Sequence, residues 1–158
     1  MKTSTLIYLF FPLFTLNCEA AQNCAHDKTT FRCVKYLKNY DADTITVEIP
    51  GVHPLIGDRI SVRVFGIDAA EIKGKGKCEK EAARTAQRLV EHILESAENI
   101  ELRNVARDKY FRILADVFAD GRKVSDVLVK NGLAVAYDGG TKSKVNWCSH
   151  LNRQVATE

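Results

Sequence analysis

Residues 59–71 read Arg-Ile-Ser-Val-Arg-Val-Phe-Gly-Ile-Asp-Ala-Ala-Glu. Ile60, Val62 and Val64 alternate with Ser61, Arg63 and Phe65, the period of a strand with one buried face. The spacing predicts a strand from Arg59 to Ile67, running out into a loop that carries Asp68 and Glu71. One strand thus delivers an arginine and two carboxylates to the same neighbourhood.

Upstream, Thr44-Ile45-Thr46-Val47-Glu48-Ile49 alternates in the same way and is rich in β-branched residues, predicting a half-buried strand ended by Pro50-Gly51. Residues 38–43 have turn chemistry, and residues 31–37 read as a first strand. Downstream, Lys73-Gly74-Lys75-Gly76-Lys77 is a basic, flexible loop. Ala82, Ala86, Leu89, Val90, Ile93, Leu94 and Ala97 then recur at helical spacing, with Glu79 and Glu81 favourably placed in the first turn. Strands are expected at 100–105 and 113–118, and residues 119–122 signal a hairpin turn. Ser125 is expected to cap a short helix around 127–129, which Gly132 closes. The fold class is α+β. The strands suffice for a small five-stranded β-barrel of OB-fold type with packed helices, an architecture that often binds nucleic acid.

The 158-residue length is one domain's worth of sequence, and 46% hydrophobic content is ordinary for a globular chain. The net charge of +3 permits a nucleic-acid partner without requiring one. Lys2, the apolar run 6–16 and Cys18-Glu19-Ala20 follow the grammar of a secretory signal peptide over residues 1–20. The run is short for a bilayer span and contains Pro12, so no stable membrane association is expected. Lipidation at Cys18 is the minor alternative, weakened by Asn17 where a small residue is expected. The organisation expected is a signal peptide (1–20), an N-terminal arm (21–30), an OB-fold domain (31–148) and a C-terminal tail (149–158), secreted or periplasmic and monomeric. Removal of the signal leaves Cys24, Cys33, Cys78 and Cys148, an even set that favours disulfides in an exported protein. None forms a C-x-x-C pair, and spacing alone leaves three connectivities open.

Three clusters carry candidate chemistry: Asp41-Ala42-Asp43-Thr44, Arg63 with Asp68 to Glu71, and Arg107-Asp108-Lys109-Tyr110-Phe111-Arg112. Cutting a phosphodiester needs oxygen ligands for a hard cation, a carboxylate that positions water, and guanidinium groups for the charge on phosphate. Asp43 and Asp68 answer the first need, Glu71 the second, and Arg63 and Arg112 the third. Each cluster alone is weak, because Asp-x-Asp-Thr is ordinary turn chemistry and charged turns are common. A binding-only barrel and a small exported structural domain are the rival functions. The first would be expected to lose acids or arginines, and the second predicts no metal dependence. His26, His53, His92 and His150 share no ligand spacing, and Trp147 reads as a packing residue.

In order and spacing these segments, with Phe118-Ala119-Asp120-Gly121 and residues 127–134, resemble the staphylococcal (thermo)nuclease homologues over about 34–137. The resemblance implies a calcium-dependent endonuclease acting on DNA and RNA, leaving 3′-phosphate and 5′-hydroxyl ends. It implies Ca2+ held by Asp43, Asp68 and the backbone carbonyl of Ala69. Glu71 would activate or orient water, with Arg63 and Arg112 on the scissile phosphate. Lys109 and Tyr110 would contact a flanking phosphate, and Tyr137 would lie near a base. Departures are Ala42 and Phe111 where glycine is usual, Ala70 where proline is usual, and a shortened last helix. Ala42 is expected to strain its turn. The family's fold sets the loop after Glu71 beside the late segment, which implies Cys78–Cys148 and leaves Cys24–Cys33 to pin the arm.

Overall fold

The computed structural model describes residues 23–108 and 110–150. The signal segment expected at 1–20, Lys109 and the end of the tail lie outside the described residues. The elements run β1 (Lys35–Asn39), β2 (Thr44–Glu48), α1 (Pro54–Gly57), β3 (Ile60–Val64), β4 (Ile67–Ala69), α2 (Lys77–Glu95), β5 (Ile100–Arg107), β6 (Ile113–Ala119), β7 (Arg122–Lys123), α3 (Val124–Lys130) and β8 (Ala134–Ala136). The main sheet is mixed, with path β1-β2-β3-β6-β5 and β7 hydrogen-bonded to β6. Its one parallel pair joins β3 to β6, setting Arg63 opposite Leu114. Parallel neighbours need a long crossover, and α2 with β5 supplies it.

The strands form where alternation drives apolar side chains to one face. Ile45, Val47, Val62 and Val64 are fully or almost fully buried, as are Leu102, Val117 and Leu128. Helix α2 covers this layer with Ala86, Val90, Ile93 and Leu94. Each large aliphatic side chain so buried contributes roughly 1.5–3 kcal/mol of transfer free energy.

The expected strand 59–67 is two strands. Gly66 sits at φ +83°, in the left-handed region, and turns the chain between them. β4 thereby leaves the main sheet and pairs with β8, Asp68 opposite Val135. The first strand starts later than expected, because Cys33 at φ 51° interrupts the extended chain. Residues before it run along β5 instead. The Phe31 and Leu102 amides and carbonyls exchange two bonds of 2.9 Å, and the Val34 N–H donates to the Ile100 carbonyl. The β1 and β5 edges share no ladder among the described residues. The architecture is therefore an α+β mixed sheet with helices, without the closed ladder of a five-stranded barrel.

Ser125 does not cap α3. The β6–β7 hairpin runs directly into the helix, so Lys123 takes the N-cap position and Ser125 is buried one residue inside. Gly132, at φ +61°, ends that helix, and the Leu133 N–H donates back to the Leu128 carbonyl. Ala42 is fully buried and is not among the positive-φ residues, so the expected strain at its turn is not found. Cys24 is joined to Cys33, and Cys78 to Cys148. Trp147 is buried against Ala70, Ala82 and Ala83, which seats the late segment beside the start of α2.

Candidate active site

The Asp41–Thr44 turn, the β3 end, β4 and the 108–112 loop all open on one cleft. Asp41, Asp43, Arg63, Glu71, Asp108, Tyr110, Arg112 and Tyr137 line it, around a volume of ≈ 640 Å³. Asp68 and Ala69 face an adjoining pocket of ≈ 860 Å³ that also includes Glu71. Glu71 and Lys142 border both.

Arg63 is the buried centre. Its guanidinium is ion-paired with Asp43, lies 3.7 Å from Asp68 Oδ1, and donates to the Ile67 carbonyl at 3.0 Å. Burial pulls its proton affinity down, and the carboxylates of Asp68 and Asp41 oppose that pull. Asp43 is fixed from further sides: the Ala69 N–H donates to Oδ2 at 3.3 Å, and the Thr44 hydroxyl donates to Oδ1 at 3.1 Å. A fork of this kind presents planar paired donors, the geometry suited to carboxylate or phosphate.

A second side of the cleft is a loop organised by Asp108, leading into β6 beside β3. Its Oδ1 accepts the N–H groups of Tyr110 and Arg112 at 2.8 and 2.9 Å, and its Oδ2 accepts Arg112 Nε at 2.7 Å. Burial tends to raise the Asp108 pKa, but the bonds from Arg112 and Tyr110 outweigh it and hold the carboxyl below its ordinary value. The Arg112 guanidinium stands 5.6 Å from the centre of the Tyr110 ring. Phe111 takes φ +63° with 81% of its surface exposed. The place where glycine is usual is therefore one that calls for glycine's backbone freedom.

Sequence reasoning named Asp43, Asp68, Glu71, Arg63, Arg112, Tyr110 and Tyr137, and the fold brings them to these two connected pockets. Two further residues emerge only in three dimensions. Asp41 is buried beside Glu71, and its Oδ1 has no hydrogen-bond partner among the described residues. Burial first, then Glu71, pushes its carboxyl above the ordinary carboxylate range. Its signal was its place two residues before Asp43. Lys142 reaches across from the segment after β8, with Nζ 2.7 Å from Asp68 Oδ1 and 3.0 Å from Glu71 Oε1. Burial disfavours its charge, but the bonds from Asp68 and Glu71 prevail and raise its pKa. Nothing in its Gly- and Lys-rich surroundings singled it out.

The donors here are all hard oxygens, and one buried carboxylate oxygen is unpaired. That chemistry fits a hard cation held by Asp41, Asp43 and Asp68. As the side chains stand, Asp43 faces Arg63 and Asp68 faces Lys142. No group of three or more His, Cys, Asp or Glu side chains is gathered for a metal among the described residues.

Residues 61–154 match the family described as staphylococcal nuclease homologue. That span is more than half the chain and contains all of β3 but Ile60, with β4, the 108–112 loop and β8. The chain belongs to the staphylococcal nuclease homologue family. Among its relatives, endonuclease YncB of Bacillus subtilis (strain 168) is 34% identical over 100 residues, which is 61% of this chain and 44% of YncB. The SPbeta prophage-derived endonuclease YokF of the same organism is 35% identical over 100 residues, 61% of this chain and 32% of YokF. The chain spans less than half the length of these curated relatives. Arg63, Asp68, Glu71 and Arg112 lie within the family's span, while Asp41 and Asp43 precede the matched segment.

Proposed function

We propose that the chain is a secreted, calcium-dependent endonuclease that hydrolyses phosphodiester bonds of DNA and RNA. The observation that carries this reading is the convergence of Arg63 and Arg112 with Asp41, Asp43, Asp68 and Glu71 on connected pockets open to solvent. Membership of a nuclease family and two relatives named endonucleases support it.

Asp41, Asp43, Asp68 and the Ala69 carbonyl would hold Ca2+, which when bound supplies Lewis-acid polarisation of the phosphate. The chain's own residues do the rest. Arg63 and Arg112 grip the non-bridging oxygens and stabilise the charge that builds on them. Glu71 accepts a hydrogen bond from a water and aims its oxygen at phosphorus. The new P–O bond forms as the P–O5′ bond breaks, leaving a 3′-phosphate and a 5′-hydroxyl that takes up the proton. Lys109 and Tyr110 would contact a flanking phosphate, and Tyr137 a base. An OB-type barrel, closed by the segment before β1 that runs along β5, is the finer fold reading consistent with the family.

Secretion rests on the apolar segment within residues 1–20 and on the two cysteine pairs, which persist in oxidising compartments. The decisive experiment incubates the refolded mature protein, from residue 21, with plasmid and single-stranded DNA, in calcium or in excess chelator. Degradation of both substrates in calcium, ended by chelation, is expected. Full activity in chelator refutes the metal reading, and no activity in either condition refutes the nuclease reading.

A further inference from the structure

Lys142 lies on a strap between two anchors. On one side β8 is laddered to β4, and the Tyr137 N–H donates to the Gly66 carbonyl at 3.0 Å. On the other, Cys148 is joined to Cys78 and Trp147 is buried against Ala70, Ala82 and Ala83. Within the strap the Tyr137 hydroxyl donates to the Gly140 carbonyl at 2.9 Å, and the Gly140 N–H donates to Asp138 Oδ1 at 2.9 Å. The ammonium so delivered bridges Asp68 and Glu71, carboxylates that belong to β4 and to the loop after it. Its side chain is 48% exposed, so these two contacts hold it where it is rather than burial.

A divalent cation such as calcium sits about 2.3–2.6 Å from a carboxylate oxygen. An ammonium nitrogen 2.7 Å from Asp68 Oδ1 occupies that same space, and the two positive charges repel at such a distance. Without a cation there, however, Asp68 and the exposed Glu71 would stand as like charges near the buried Asp41, with Arg63 on their inner side. A tethered cation relieves that repulsion. Because the tether is covalent and short, the ammonium is present at high effective concentration whatever the ion content of the solution.

We propose that Lys142 is a built-in competitor of the metal: its ammonium bridges Asp68 and Glu71 in the metal-free protein and must leave Asp68 before a cation can bind there. The inference rests on the carboxylate-metal reading given under Proposed function. Lys142 is not thereby a catalytic residue. It sets how much calcium is needed to fill the site, and its departure frees Glu71 to engage water.

The test is calorimetric titration of calcium chloride into the mature, oxidised protein in the absence of nucleic acid, for wild type, Lys142→Met and Lys144→Met. Met keeps the length of the side chain and removes its charge. Lys142→Met is expected to bind calcium at least about tenfold more tightly, the scale of removing a like charge a few ångströms away in a partly screened site. Lys144→Met, altering a lysine that lines only the adjoining pocket, should stay within about twofold of wild type. Equal or weaker binding by Lys142→Met, with wild type binding normally, overturns the competition and leaves the metal site standing. Absence of calcium binding in all three proteins overturns the metal reading and the competition together. Proteolysis gives an independent readout. A lysine-specific protease should cut after Lys142 several-fold faster when calcium is added, and a calcium-independent rate overturns the release of Lys142.

Discussion

The two arginines of the cleft are chemically alike and structurally opposite. Arg63 stands on β3, its side chain 12% exposed, locked by Asp43, Asp68 and the Ile67 carbonyl. Arg112 stands at the end of a loop, its side chain 35% exposed, ion-paired with Asp108. The sheet wall ties function to folding, since removing the buried cation leaves two carboxylates to repel in a poor dielectric. The loop wall keeps them apart, because Asp108 keeps the Tyr110 and residue-112 N–H groups as partners when the Arg112 guanidinium is lost.

The largest expected effect tests that contrast directly. Alanine at either Arg63 or Arg112 should lower turnover by on the order of a hundredfold or more, the usual scale for one positioned charge in a phosphoryl-transfer site. Stability should divide them. Arg63→Ala should lose about 1–3 kcal/mol through its unpaired buried partners. Arg112→Ala should change by less than about 1 kcal/mol, as surface replacements do. Thermal melts beside initial rates on a defined oligonucleotide decide it, and equal melting temperatures for the two variants would erase the distinction between the walls.

Asp41 sharpens the picture of the sheet wall. Its carboxyl is buried, unpaired at Oδ1 and repelled by Glu71, so its folded pKa lies above the unfolded value. The sign follows: the folded state holds this proton more tightly, and stability is lost as pH rises from the unfolded pKa through the raised one. Without metal, Asp41→Asn should therefore stabilise the neutral-pH protein, by about 1 kcal/mol on the scale of relieving a poorly compensated buried charge. It should also weaken calcium binding. A melt in chelator and a calcium titration together check both directions, and a destabilised Asp41→Asn would show that the carboxylate is better solvated than its burial implies.

The smallest effect belongs to the loop wall. Phe111 holds a left-handed conformation that costs a non-glycine residue about 1–2 kcal/mol, partly offset by the chain entropy that glycine loses on folding. Phe111→Gly should raise stability by about 0.5–1 kcal/mol. A chemical-denaturation midpoint that falls instead would mean the exposed ring makes a contact worth more than the strain.

Much of this protein was legible in one dimension. The period-two patterns at 44–48 and 60–64 and the helical recurrence at 82–94 fix the strands and α2, because burial of one face dictates spacing wherever it occurs. The Asp-x-Asp-Thr turn, Arg63 with Asp68 and Glu71, and the 108–112 loop marked the cleft, because each group lies within a few residues of an element end. What the sequence could not decide depends on how distant segments meet. The break at Gly66 is set by β8 waiting to pair with β4, and the N-cap at Lys123 by a hairpin feeding straight into α3. Asp41 becomes a site residue only when packing removes its water. Lys142, 71 residues from Glu71, meets it only because β8, Trp147 and the Cys78–Cys148 link hold the strap across the cleft. Local periodicity encodes which face is buried; the pairing of charges across the chain is decided by tertiary geometry, since Coulomb energy depends on distance in space and not on separation in sequence.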